Sequence, residues 1–172
     1  ARAMEGVTAA VVSAIAGAMV ERVLNNEGDV RWELDQMRGL KHIGDNAANA
    51  GAAAYTTTSI GVDGPRASTV LGADKIYFDA QVTFQHNGKS LGNIQITQLH
   101  ANDAVRAALR EQARIMDDAN TYTDSTGARF AAIKIQFTYR FTFTVYSDFL
   151  AVTDVILYGN GMHSRQARWT QT

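Results

Sequence analysis

Residues 133–145, IKIQFTYRFTFTV, alternate apolar and polar side chains without interruption. Ile133, Ile135, Phe137, Tyr139, Phe141, Phe143 and Val145 make one face, and Lys134, Gln136, Thr138, Arg140, Thr142 and Thr144 make the other. A period of two carried by β-branched and aromatic residues is the signature of a strand with one buried face. At about 3.4 Å per residue such a strand spans roughly 40 Å, about twice the common length. The fold must therefore supply neighbours for a long strand and an apolar layer to cover its odd face.

Residues 76–84 repeat the pattern, with Ile76, Phe78, Ala80, Val82 and Phe84 set against Tyr77, Asp79, Gln81 and Thr83. Asn87-Gly88 is a tight-turn signal, and Leu91, Ile94 and Ile96 continue on a second strand, so this region reads as a hairpin. Ser147-Asp148 turns the long strand back into residues 150–158, where Val155, Ile156, Leu157 and Tyr158 are apolar on successive positions; burial on both faces is expected there.

Between the hairpins, Asn102 or Asp103 reads as the cap of a helix whose inner stripe is Val105, Leu109 and Met116, helped by Ala108 and Ile115. Two more helices are expected near the start. Residues 4–24 repeat Met4, Val7, Val11, Ile15 and Met19, with further valines widening the stripe. Val30, Leu34, Met37 and Leu40 then mark a second helix that weakens at Gly39 and Gly44. Residues 55–73, rich in Thr, Ser and Gly and holding the single proline, Pro65, read as a long loop. The expected fold class is α+β: a mainly antiparallel sheet of about four strands, formed by two hairpins, with a helix between them and two N-terminal helices. The chain divides on this reading into an N-terminal helical segment, 1–54, an α+β sheet domain, 55–161, and a basic tail, 162–172.

Composition narrows the function. There are no cysteines, so disulfides, thiolate metal sites and a cysteine nucleophile are excluded together. The 16 basic and 17 acidic residues nearly cancel, which leaves nonspecific attraction to nucleic acid without a global basis. Residues 7–20 look like a short signal or membrane segment, but Gly17 interrupts them and Glu5, Glu21 and Arg22 flank them. A span needs about 20 apolar residues. A helix packed on protein is therefore expected there, in a chain that keeps its N-terminal region and forms a soluble or virion assembly.

No constellation for catalysis is recognisable. Gly88-Lys89-Ser90 ends like a phosphate-binding loop, yet Thr83 stands where the first glycine belongs and a strand follows in place of a helix. His42, His86, His100 and His163 lack metal-ligand spacing. His100 is close to Asp103, which reads as a cap. Asp117-Asp118 read as solvated acids. No enzyme activity, cofactor or metal is expected.

Arg106, Arg110 and Arg114 recur every four residues, which on a helix makes one cationic stripe. Arg165, Arg168 and Trp169 add a second basic patch. An overlong strand, an apolar first helix and a small-residue stretch at 45–54 all offer surface that a monomer of this size struggles to cover. The expected function is a self-assembling structural subunit of a ring, tube or shell, such as a phage or virion component, joining copies of itself and other structural proteins. Hairpin, helix and long strand in that order resemble phage tail-completion and tube proteins. Subunit contacts are expected at Arg106, Arg110, Arg114, Ile133, Arg140, Val11 and Ile15. Two other readings are a membrane-active or secretion β-hairpin protein, with residues 133–158 facing lipid, and a small ligand-binding domain or enzyme using His42, His86, His100 and Asp79.

Overall fold

The computed structural model describes residues 13–24, 28–65, 67–68, 75–103, 107–116, 121–143 and 148–171. It is an all-β fold of two facing main sheets. The first runs in the order β1 (Ser13–Ile15), β4 (Gln36–Lys41), β8 (Leu91–Asp103), β7 (Lys75–His86) and β5 (Thr56–Asp63), with β6 (Ala67–Ser68) beside one end of β7. The second runs β14 (His163–Gln171), β13 (Phe149–Tyr158), β12 (Ala132–Phe143), β9 (Ala107–Met116), β3 (Gly28–Leu34) and β2 (Val20–Leu24). A small ribbon, β10 (Tyr122–Thr123) with β11 (Arg129–Phe130), precedes β12. Every pairing is antiparallel except β3 with β9.

The α+β expectation is overturned. Among the described residues the only helical turns are two 3-10 turns, Ile43–Asp45 and Ala47–Asn49. The middle segment expected to be helical is β9, a central strand between β3 and β12. Its sequence, AALREQARIM, is made of good helix formers, and the pairing on both flanks outweighs that propensity. Its real period is two: Leu109, Glu111, Ala113 and Ile115 are buried, and the acid at the second position hides the alternation. The described part of the supposed first helix is β1 and β2, and the second is β3 and β4. Val30, Trp32 and Leu34 face inward, then Asp35 carries the chain from one sheet to the other. That crossing shifts the frame, and Gly39, at φ +91°, sits where the β4–β8 register shifts, so Val30, Leu34, Met37 and Leu40 only imitate a helical stripe. The loop expected at 55–73 contains β5, whose threonines are β-formers that lack apolar side chains to announce them.

The two expected hairpins are present, β7 with β8 and β12 with β13. Ile133, Ile135, Phe137, Tyr139 and Phe141 are buried on the odd face of β12, and the even positions from Lys134 to Thr142 are half-buried or exposed. β13 alternates rather than being sealed on both sides: Ala151, Thr153, Val155 and Leu157 are buried, whereas Leu150, Val152, Ile156 and Tyr158 are half-buried on the outer face. The core lies between the sheets, where Phe78, Val82 and Phe84 of β7 and Leu91, Ile94 and Ile96 of β8 meet the odd face of β12. Phe78 and Tyr139 touch across it with ring centroids 5.9 Å apart. Each such apolar side chain contributes about 1.5–3 kcal/mol on burial.

At one end, the Asn87–Ser90 turn locks the sheets together. Gly88 N–H donates to Gly159 O at 2.8 Å, and Ala131 N–H donates to Lys89 O at 2.8 Å. At the other end Asp35 bonds across the gap, accepting from Ile115 N–H at 3.1 Å and from Gly17 N–H at 3.4 Å.

Candidate functional site

The residues singled out in the sequence fall at several places. β12 carries Arg140 on its outer, even face, and the same face of β9 carries Arg110 and Arg114. A spacing of four is even, so a strand keeps these residues on one side as a helix would. The register sets Arg110 directly between Arg31 of β3 and Arg140 of β12. Like charges directly opposite are unfavourable, and Asp29 relieves one side of the row. It takes Arg110 at 3.2 Å and Arg31 at 3.5 Å, while Glu21 holds Arg31 at 2.6 Å.

Arg114, Lys134 and Arg140 form no ion pair among the described residues. Glu33 lies on the same face, and Asp154 farther along it takes Arg168 at 2.9 Å. The outer side of the second sheet is therefore a mixed surface with a cationic centre on β9 and β12. Ile133 lies on the opposite, core side and is 0 % exposed, so it offers no contact surface. Ile15 ends β1 with 39 % exposure, near exposed Met19 and Val20. Val11, Arg106 and the pair Asp117-Asp118 lie outside the described residues.

The histidines do not converge. His42 is buried with Nδ1 2.7 Å from Ser90 Oγ, and burial lowers its pKa while Asp45 acts weakly the other way. Gly88-Lys89-Ser90 is accordingly a turn whose serine supports a histidine. His86 sits 2.6 Å from Thr58 Oγ1 and is held low by burial. His100 is exposed opposite Asp79, and His163 begins β14. Among the described residues no group of three or more His, Asp or Glu is placed to hold a metal ion.

One buried group escaped sequence reasoning. Glu111 is 1 % exposed, and neither carboxyl oxygen has a hydrogen-bond partner of normal geometry. Burial pushes its pKa up to about 8; the Tyr139 hydroxyl beside it opposes that rise and Asp79 adds to it. Gly64 closes over this spot, since a Cβ there would stand 3.1 Å from the Tyr139 ring and 2.4 Å from Phe78 O. The break in the alternation of β9 was the only trace of it in the sequence.

The remaining feature is an edge. β5 has β7 as its single neighbour among the described residues. Gly64 N–H donates to Phe78 O at 2.6 Å, which fixes the alternation: Thr58, Ile60 and Val62 turn their main-chain groups to β7, and Thr57, Ser59 and Gly61 turn theirs away. Arg165 of β14 reaches this edge and donates to Gly61 O at 2.6 Å. No family model, curated protein or solved structure matches the chain.

Proposed function

We propose that this chain is a structural subunit that joins copies of itself through sheet edges into a ring, tube or shell. The observation that carries the reading is β5: eight residues, TTTSIGVD, with no lysine or proline and no charge before Asp63. Natural monomers blunt exposed edges with such residues because unpaired N–H and C=O groups template a further strand.

The earlier basis for assembly is replaced. β12 has no open edge, being flanked by β9 and β13 along nearly its whole length. The N-terminal helices expected to pack between copies are strands where they are described, and the element order that resembled tube proteins contains no helix. Among the described residues β5, β14, β1 and β2 are the outermost strands, and their edges take its place. Sedimentation and light scattering at rising protein concentration test the reading. A mass that grows by whole subunits supports it, and a strict monomer at high concentration overturns it.

A further inference from the structure

We infer that the joint between copies is β5 itself, paired antiparallel with β5 of a second copy, and that Arg165 is the latch that must leave Gly61 O for the joint to close. This rests on the assembly reading and names its partner surface.

The outward main-chain groups of Thr57, Ser59 and Gly61 are spaced every second residue, which is the spacing an added antiparallel strand requires. A two-fold axis at Ser59 pairs Ser59 with its copy and Thr57 with Gly61 of the copy. Outward groups then meet outward groups, and each pair exchanges both N–H···O bonds. The match is self-complementary, as an isologous interface demands. The perpendicular axis also keeps the outer faces of the two sheets on one side, so they continue into one sheet.

Side chains favour this occupant over the other edges. Residues 56–62 are uncharged, so no like charges meet across the axis. Ser59 already pairs with Thr83 at 2.9 Å on the outer face, the kind of hydroxyl contact that recurs between neighbouring strands. Ile60, half-buried at the margin of the core, would be covered by the second copy. By contrast β14 carries Arg165 and Arg168, and its self-pairing would crowd cations; β2 is only five residues long and holds Glu21 and Arg22.

In the single chain the Arg165 guanidinium occupies the Gly61 carbonyl that the partner's Thr57 N–H must take. A carbonyl can accept twice, but both donors approach this one from the side of β5 that faces away from β7, and there they compete. Removing the arginine should therefore favour the joint, whereas an ordinary structural bond would only lower stability.

The test is sedimentation of the full chain as wild type, Ser59→Pro, Ser59→Lys, Arg165→Ala and the Arg165→Ala/Ser59→Pro double variant, with circular dichroism to check that each folds. Proline at this outward edge position removes an N–H that faces away from β7, together with the hydroxyl contact to Thr83, and leaves the main-chain bonds to β7 in place. We expect Ser59→Pro to weaken association about tenfold or more, because a main-chain donor is lost from each copy at the axis. Ser59→Lys should weaken it too, and serves if the proline variant does not fold. Arg165→Ala should strengthen association, and the double variant should lose that gain. Wild-type-like assembly by folded Ser59→Lys or Ser59→Pro overturns the β5 joint while leaving assembly through another edge standing. A wild type that never associates removes the assembly reading; the joint then stands only if Arg165→Ala associates and the double variant does not. An Arg165→Ala variant no more associated than wild type overturns the latch.

Discussion

Glu111 and Tyr139 stand directly opposite each other on β9 and β12, both sealed between the sheets. Burial holds Glu111 neutral below about pH 8 and pushes Tyr139 well above its usual range, with Glu111 as the second cause. The folded chain therefore binds a proton on Glu111 that the unfolded chain releases near the ordinary carboxyl value of 4.5. Stability from this group is complete below that value, falls as pH rises, and is spent above about 8. Urea unfolding from pH 5 to 8 should show a decline on the order of several kcal/mol, which Glu111→Gln, with no proton to lose, should largely abolish. An equal slope in both proteins would show that Glu111 is ionised inside the fold.

Phe141 and Thr142 are neighbours on β12 with opposite surroundings: one is 1 % exposed and packs its ring on Phe149, the other is exposed on the outer face. Phe141→Ala should cost about 3–5 kcal/mol and Thr142→Ala under about 1.5 kcal/mol. Chemical denaturation of the two variants measures the difference, and similar losses would contradict the face assignment.

Arg140 faces Arg110 across the β9–β12 register, and of these two only Arg110 is paired with Asp29. Replacing Arg140 with threonine should raise stability by about 0.2–1 kcal/mol in low salt, with the gain shrinking as salt screens the pair. Thermal melts across a salt series check this; a loss that ignores salt would mean that Arg140 contributes through packing.

Ser90 is 0 % exposed and its hydroxyl is the partner of buried His42. Ser90→Ala leaves that ring with no partner at Nδ1 and should cost about 1–3 kcal/mol. The turn it belongs to also joins the sheets, so hydrogen exchange at Gly88 and Ala131 should quicken in the variant. Unchanged exchange and stability would show that water replaces the hydroxyl.

The strands that announce themselves in the sequence are those whose core-facing residues are all apolar. β7 and β12 keep apolar side chains on the described core-facing positions, Phe78 to Phe84 and Ile133 to Phe141, so period two survives, and Asn87-Gly88 marks the turn between β7 and β8. That alternation was enough to assign both hairpins and the buried face of β12. β9 hides because Glu111 occupies an inward position, and a carboxyl can lie there only when the fold keeps it neutral. β3 and β4 hide because Asp35 moves the chain between sheets after one residue, which merges two short strands into a false helical period. β5 hides because an edge strand buries little and needs few apolar residues.

The cationic row was legible in part. Arg110 and Arg114 share a face, and even spacing preserves that in a strand as in a helix; the opposition of Arg110 to Arg140 across β9 and β12, and its link to Arg31, come from register. The contact of Arg165 with Gly61 spans 104 positions along the chain. No local pattern encodes such a pairing. Local periodicity states which face of a segment wants burial, and the choice of neighbours belongs to the assembled sheets, where long-range pairing overrides the helix preference of AALREQARIM.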